Sequence, residues 1–227
     1  PLLDATAGGM IEEHLTNAGV HIVRNAEVMK VLGGEKVDGV ILRDGTELSC
    51  ELILVGIGLE CPMQWLKDAN VATERGVIAN EYLETNIPDV LTAGDCAEFA
   101  DVILHERIQL GNWVNAQMQG KRAALTMLGK REQFRLVSFY TAVGLGVAIA
   151  FVGDVRAIPD REIITRGGAE ANAYGRIIIM HNKIIGATLI NRTQELGVIT
   201  RLIEKGVDIS GKKKELADVT VDLKTIQ

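Results

Sequence analysis

The sequence predicts a mixed α/β chain that closes with a separate α+β domain, on three observations. Hydrophobic residues make up 47% of the 227 and aromatics only 4%, so the core has to be filled by Val, Ile, Leu and Ala. Glycine reaches 24 residues, and this balance favours layered α/β or α+β packing over an all-β sandwich. Helical and strand-like patterns alternate as far as Arg135, and strand patterns dominate after it.

In chain order, Met10, Ile11, His14, Leu15 and Ala18 recur at helical spacing, with Asp4 or Thr6 as N-cap and Gly19 as the stop. A small β-meander is expected from strands at 20–23, 27–32 and 37–42, with Gly33-Gly34 and Arg43-Asp44-Gly45-Thr46 as turn residues. The run Glu51-Leu52-Ile53-Leu54-Val55-Gly56-Ile57-Gly58 reads as a strand buried on both faces of a parallel sheet, delivering Gly56 and Gly58 to the ligand edge. A tight strand-to-loop turn explains those glycines equally well. Residues 83–95 read as a polar loop, a short apolar strand and an acid at its tip, followed by a helix. Met118, Ala123, Leu125, Met127 and Leu128 fit that helix's buried side, and Gly129 closes it. From 136 onward, strands are expected at 147–152, 162–165, 175–180 and 184–190, with a turn at His181-Asn182-Lys183. A last helix at 194–205 places Leu196, Ile199, Leu202 and Ile203 on one face, with an Asn191/Gln194 capping box and Gly206 as its stop.

The net charge of −6 leaves no broad positive field for a phosphate backbone, so nucleic acid is not an expected partner. Lys212-Lys213-Lys214 sits among Asp208, Glu215 and Asp218 and reads as a solvated loop. The longest uncharged stretch, 138–153, falls short of the roughly 20 apolar residues that a bilayer span needs, and no signal peptide is evident at the start. A cytoplasmic protein without a membrane partner is expected. Cys50, Cys61 and Cys96 stand far apart, with no C-x-x-C and no metal spacing, so neither a dithiol pair nor a metal site is expected from them.

The strongest signal lies between Thr85 and Asp95, which ends in Thr92-Ala93-Gly94-Asp95. Ala93 and Gly94 keep a strand tip clear of side chains so that a polyol chain can approach, and the Asp95 carboxylate can accept hydrogen bonds from its hydroxyls. A helix after it would offer free N–H groups to a pyrophosphate or a flavin carbonyl. Taken alone, Asp95 also suits a helix N-cap and Trp113 also suits a core.

Thr85 to Asp95 resembles the second FAD-contacting motif of the two-dinucleotide-binding-domain flavoproteins, the FAD-dependent pyridine nucleotide-disulfide oxidoreductases. These include rubredoxin reductases, ferredoxin reductases, nitrite reductase flavin subunits and coenzyme A disulfide reductases. Asn112-Trp113-Val114-Asn115-Ala116-Gln117-Met118-Gln119-Gly120 is similar to the W-x-N-A-x-x-Q-G stretch of the ferredoxin and rubredoxin reductase branch. The resemblance implies that Thr85, Ala93, Gly94 and Asp95 contact FAD, with Asp95 on the ribitol. Cys96 and Ala97 would present helix N-terminal amides, and Trp113 would stand near the flavin ring. It places Gly56 and Gly58 on the NAD side, and it departs from the family at Glu60-Cys61-Pro62, where a basic residue, Pro and Asn are usual.

By the same resemblance, residues 1–80 are the later half of the NAD(P)-binding domain, 81–135 the returning FAD-binding segment and 136–227 a C-terminal α+β interface domain. No G-x-G-x-x-G turn is present. Its nearest lookalike, Gly144-Leu145-Gly146-Val147-Ala148-Ile149, ends in Ile and lacks a preceding strand. The expected fold is therefore an incomplete two-domain, Rossmann-like flavoprotein whose first FAD segment lies before Pro1. The expected activity is hydride transfer from NAD(P)H to FAD, with electrons passed to rubredoxin, ferredoxin, a sirohaem subunit or a small acceptor. No side chain is singled out as catalytic, neither FAD nor NAD(P)H is expected bound to this fragment alone, and self-association is expected. The alternative is a docking or assembly module, or one chain of a split flavoenzyme.

Overall fold

The computed structural model describes residues 2–156 and 158–226 and divides into two compact units. One is Leu15–Glu60; the other joins the residues up to His14 with those from Cys61 onward. Helix α1 (Ala5–Asn17) begins where Asp4 Oδ1 accepts the Ala7 N–H at 2.8 Å, so Asp4 is the capping residue. It stops at Gly19, which takes a φ of +88°.

The Leu15–Glu60 unit is an antiparallel meander of β1 (Val28–Gly33), β2 (Val37–Leu42) and β3 (Glu47–Ser49). Gly39 is required in β2, because a Cβ there would lie 2.5 Å from the Leu48 carbonyl oxygen. Two strand expectations are corrected. Residues 20–23 form no strand, and the third strand lies after the Asp44-Gly45 turn. Residues 51–58 are not a buried strand either, since Leu52, Leu54, Val55 and Ile57 are exposed. The reason is that strand geometry needs a hydrogen-bonding neighbour, and among the described residues nothing pairs with this run.

The larger unit holds a short helix α2 (Gln64–Asp68) and a three-stranded sheet of β4 (Val77–Ala79), β5 (Ala97–Ala100) and β6 (Arg107–Gln109), with β4 and β5 parallel. Helix α3 (Trp113–Met127) follows, and then a five-stranded antiparallel sheet in the order β7-β8-β11-β10-β9. Its strands are β7 (Phe139–Gly144), β8 (Val147–Gly153), β9 (Glu162–Gly168), β10 (Ala173–Met180) and β11 (Lys183–Ile190). β7 is a strand that the sequence pattern did not suggest. The lookalike glycine loop is the β7–β8 hairpin turn, with Leu145 and Gly146 both at positive φ. His181 and Asn182 make the same two-residue turn between β10 and β11.

Period-two alternation in β10, and a bulge at Ile185 in β11, put these strands between two cores. Ile177, Ile179, Ile184 and Leu189 pack with Val198, Ile199, Leu202 and Ile203 of helix α4 (Leu196–Lys205). Ile178 and Ile185 face the other way and pack with Leu83, Phe99, Ile108 and Phe134, where the two Phe rings meet edge to face at 5.4 Å. Residues before and after position 135 thus share one core. The Asn191/Gln194 capping box does not form: Asn191 Oδ1 accepts the Ala148 N–H at 2.8 Å, and a 3-10 turn (Thr193–Glu195) leads into α4. The Lys212-Lys213-Lys214 run is no loop; it enters helix α5 (Lys213–Ala217), and Lys213 pairs with Glu162 at 2.5 Å. Buried Arg166 fastens the C-terminal segment, donating to Glu195 Oε1 at 3.0 Å and to the carbonyls of Leu216, Asp218 and Val221.

Candidate functional site

The acid turn is set by the loop before it. Asn80 Oδ1 accepts the N–H groups of Tyr82 (2.9 Å) and Glu84 (3.1 Å), and Leu83 is fully buried at a φ of +66°. Arg131 grips Glu84 with two bonds, at 2.7 and 2.9 Å, while its guanidinium lies 3.5 Å from the centre of the Tyr82 ring. Those bonds hold the Glu84 carboxyl at about 2, well below its usual value. Thr85 closes the loop by donating from Oγ1 to the Val90 carbonyl at 2.9 Å, and its own N–H reaches the same oxygen at 3.0 Å. The Thr92 N–H bonds the Leu83 carbonyl at 3.0 Å, which carries the chain into Ala93-Gly94-Asp95.

At Gly94 the backbone turns through a φ of +87°, and a Cβ would sit 3.5 Å from that of Ala116 on α3. The Gly94 N–H is captured by Gln119 Oε1 at 2.7 Å, and the Asp95 carbonyl accepts from Gln109 Nε2 at the same distance. Among the described residues nothing bonds the Asp95 carboxylate. It points past Gly111, where a Cβ would stand 3.7 Å from Oδ2. Gly111 and Asn112 in turn line a cavity of about 500 Å³ whose apolar wall includes Leu104, Ile108, Tyr140 and Phe151. Asp154, which also lines it, pairs with Arg156 and Arg161. Burial raises the Asp154 carboxyl, but the bonds from both arginines outweigh it and hold the group below its usual range.

Helix α3 starts at Trp113 because Asn112 is extended and its Oδ1 accepts the Asn115 N–H at 2.8 Å. Its buried stripe is Asn115, Gln119 and Ala123, four residues apart, whereas Met118, Met127 and Leu128 are exposed. Ala123 is buried as expected and Leu125 is half-buried, while Met118, Met127 and Leu128 correct the rest of the expected face. Asn115 Nδ2 bonds the Leu110 carbonyl at 2.9 Å; Asn115 Oδ1 and Gln119 Nε2 are buried without a partner. Trp113 is 76% exposed.

Of the residues singled out from the sequence, Thr85, Ala93, Gly94, Asp95 and Trp113 belong to this turn and the helix packed on it. Cys96 and Ala97 do not start a helix, contrary to expectation. The Ala97 N–H bonds the Gly94 carbonyl at 3.0 Å and the chain enters β5, while Cys96 Sγ lies 3.5 Å from the Ala93 carbonyl. Gly56 and Gly58 lie in the Leu15–Glu60 unit, on the exposed run, with Gly58 at a φ of +102°. Gln109 and Ser138 were not anticipated; Asn112 and Gln119 stand in the stretch that carries the resemblance, but no role was expected of them. The signal for Gln119 is its spacing of four from Asn115, which puts two amides on one helical stripe. Cys50, Cys61 and Cys96 are unpaired, and among the described residues no cluster of His, Cys, Asp and Glu could hold a metal.

Residues 1–120 match the family model for pyridine nucleotide-disulphide oxidoreductases, and 145–227 match a reductase C-terminal model. The chain is 30% identical over 229 aligned positions to the ferredoxin–NAD(+) reductase component of the biphenyl dioxygenase system of Paraburkholderia xenovorans (strain LB400), covering 99% of this chain and 54% of that one. It is 27% identical to nitrite reductase [NAD(P)H] of Bacillus subtilis (strain 168) over 93% of this chain and 26% of the relative. The chain therefore spans about half, or less, of the length of these relatives. Putidaredoxin reductase, in its covalent complex with putidaredoxin, shares the fold at a TM-score of 0.85 and 22% identity, over 98% of this chain and 55% of that one. A ferredoxin reductase from Rhodopseudomonas palustris superposes at 0.79 with 23% identity, over 95% and 53%.

Proposed function

This chain belongs to the pyridine nucleotide-disulphide oxidoreductase family, and from that premise we propose that it works within an FAD-dependent NAD(P)H oxidoreductase that delivers electrons to a ferredoxin-type protein. One observation carries the reading: a carboxylate with no partner among the described residues, at Asp95, framed by two glycines on a turn locked against the helix that bears Trp113. The donor set fits the group. A polyol offers hydroxyl donors, an ionised carboxylate only accepts, and Gly94 and Gly111 leave the approach free of side chains. When bound, FAD supplies the redox chemistry, taking a hydride equivalent from NAD(P)H and releasing electrons to the acceptor.

The chain's own residues orient. Asp95 anchors the polyol, Gln119 and Gln109 hold the turn that presents it, and Trp113 stands at the helix start on the flavin side. Thr85 shapes the loop that delivers the turn. Gly56 and Gly58 are assigned to NAD(P)H by family resemblance alone, and so is the division into 1–80 for NAD(P)H, 81–135 for FAD and 136–227 for the interface. A ferredoxin-type acceptor is favoured over rubredoxin or a sirohaem centre by the name of the 30% identical relative.

The test is flavin content of the holoenzyme. Asp95→Ala removes charge-assisted hydrogen bonds of about 1.5–3 kcal/mol each, so FAD affinity should fall tenfold or more and desalting should strip the yellow colour. A variant that keeps full FAD and is reduced normally by NADH would remove the residue on which the reading stands.

A further inference from the structure

Trp113 is the first residue of α3 and is largely exposed, so little packing of its own side chain fixes where it stands. Its place follows from the backbone at the helix start, and that backbone is held by Asn112. The Asn112 side-chain amide is used at both ends: Oδ1 accepts from Asn115 N at 2.8 Å, and Nδ2 donates to Ser138 Oγ at 2.6 Å. Turning the amide over would set Nδ2 against the Asn115 N–H and lose the cap, although Oδ1 could still accept from the Ser138 hydroxyl, so the cap fixes the orientation in which Nδ2 meets Ser138.

Ser138 is itself anchored. It is 8% exposed, and its carbonyl accepts the Gly153 N–H at 2.8 Å, at the end of β8. Gly153 lies hard against β11, where a Cβ would come within 2.2 Å of the Ile185 carbonyl oxygen. The path from Trp113 through Asn112, Ser138 and Gly153 therefore ends where β8 and β11 meet too closely to admit a side chain.

We propose that Ser138 is a positioning residue for the flavin site: through the Asn112 amide it ties the helix start that carries Trp113 to the five-stranded sheet. This rests on the reading that Trp113 stands beside the flavin. It gives the C-terminal sheet a function in electron delivery, since a shift of the β7 entry reaches Trp113 at the first residue of α3, whereas the Asp95 turn is held farther along that helix at Gln119 and by Gln109 of β6.

The experiment uses the holoenzyme in a Trp65→Phe background, which leaves Trp113 as the one tryptophan of this chain. Ser138→Ala removes the bridge but leaves the helix cap in place. Asn112→Asp keeps both, because a carboxylate can cap Asn115 and accept from the serine hydroxyl. Ser138→Ala should retain FAD, change the quenching of Trp113 emission by the flavin, and slow delivery to the acceptor about threefold to tenfold, the span expected for one hydrogen bond, with flavin reduction by NADH unchanged. Asn112→Asp should behave as the parent. A Ser138→Ala protein with normal Trp113 quenching and normal delivery overturns the proposal, as does an equal slowing of flavin reduction and delivery. The underlying reading fails separately, if Asp95→Ala keeps its FAD.

Discussion

Two apolar runs of similar composition meet opposite fates in this molecule. Ile177-Ile178-Ile179 lies in β10 with β9 and β11 bonded on either side, and all three residues are buried. Leu52-Ile53-Leu54-Val55 pairs with no strand among the described residues, and Leu54 is 93% exposed. Strong hydrophobicity is shared, so it does not by itself decide the outcome. What differs is a neighbour able to take the backbone hydrogen bonds, without which burying the chain would strand its N–H and C=O groups. A run of this kind states a demand for a partner, and only the rest of the fold says whether it is met.

The largest effect should come from testing that contrast directly. Ile177→Ala leaves a cavity in a fully buried site and should cost about 2–5 kcal/mol, read as a lower urea midpoint with unchanged slope. Leu54→Ala removes a side chain already in water and should stay within about 0.5 kcal/mol of the parent. Equal losses in the two variants would break the comparison and mean that the 51–58 run is packed in solution.

The same distinction explains what was legible in the sequence. β2, β8, β10 and β11 could be read because alternation or continuous apolarity coincided with available neighbours, and α4 because its stripe and Gly206 stop are local signals. β7 was missed although Phe139, Tyr140, Thr141 and Val143 favour strands, because it has no apolar/polar alternation and no buried face to mark it, and its place is set by pairing with β8. At the turn, the motif singles out Asp95 and Trp113, but the sequence places the helix start at Cys96. An acid after a strand suggests an N-cap; here the chain turns at Gly94 and enters β5 instead, and the helix waits for Asn112. Gln109 and Ser138 act through contacts over 14 and 26 residues, which no local pattern encodes.

Within α3 the comparison sharpens to one turn of helix. Gln119 is fully buried and takes the Gly94 N–H, whereas Met118 beside it is 43% exposed. Gln119→Ala would strand that amide donor away from water, at a cost of about 1–3 kcal/mol, and should loosen FAD because the Asp95 turn loses its tether. Met118→Ala should change neither. Thermal unfolding and flavin retention of the two variants measure this, and a stable Gln119→Ala protein with full FAD content would show that the turn is held by its own backbone.

The smallest effect contrasts two ion pairs. Arg43 meets Glu27 through one bond at 2.6 Å with both side chains well exposed, an arrangement worth about 0–1 kcal/mol. Arg131 holds Glu84 through two bonds, Asn80 Nδ2 adds a third at 2.9 Å, and the guanidinium is stacked on Tyr82. Bonds from Arg131 and then Asn80 lower the Glu84 carboxyl from 4.5 to about 2. Since the folded value lies below the unfolded one, the stabilisation is fully present above pH 4.5. It declines as the pH falls from there and is gone once the folded carboxyl is protonated near pH 2. Glu84→Gln should therefore lower the unfolding temperature at pH 7 and flatten its fall between pH 4.5 and 2, while Glu27→Gln should leave the pH 7 value unchanged. Solvent screening keeps the first effect modest, because Arg131 is half exposed. Unfolding curves of the parent and both variants across that range decide it. An acid limb as steep in Glu84→Gln as in the parent would place the lost protonation elsewhere, with Asp154, held down by Arg156 and Arg161, as the next group to replace.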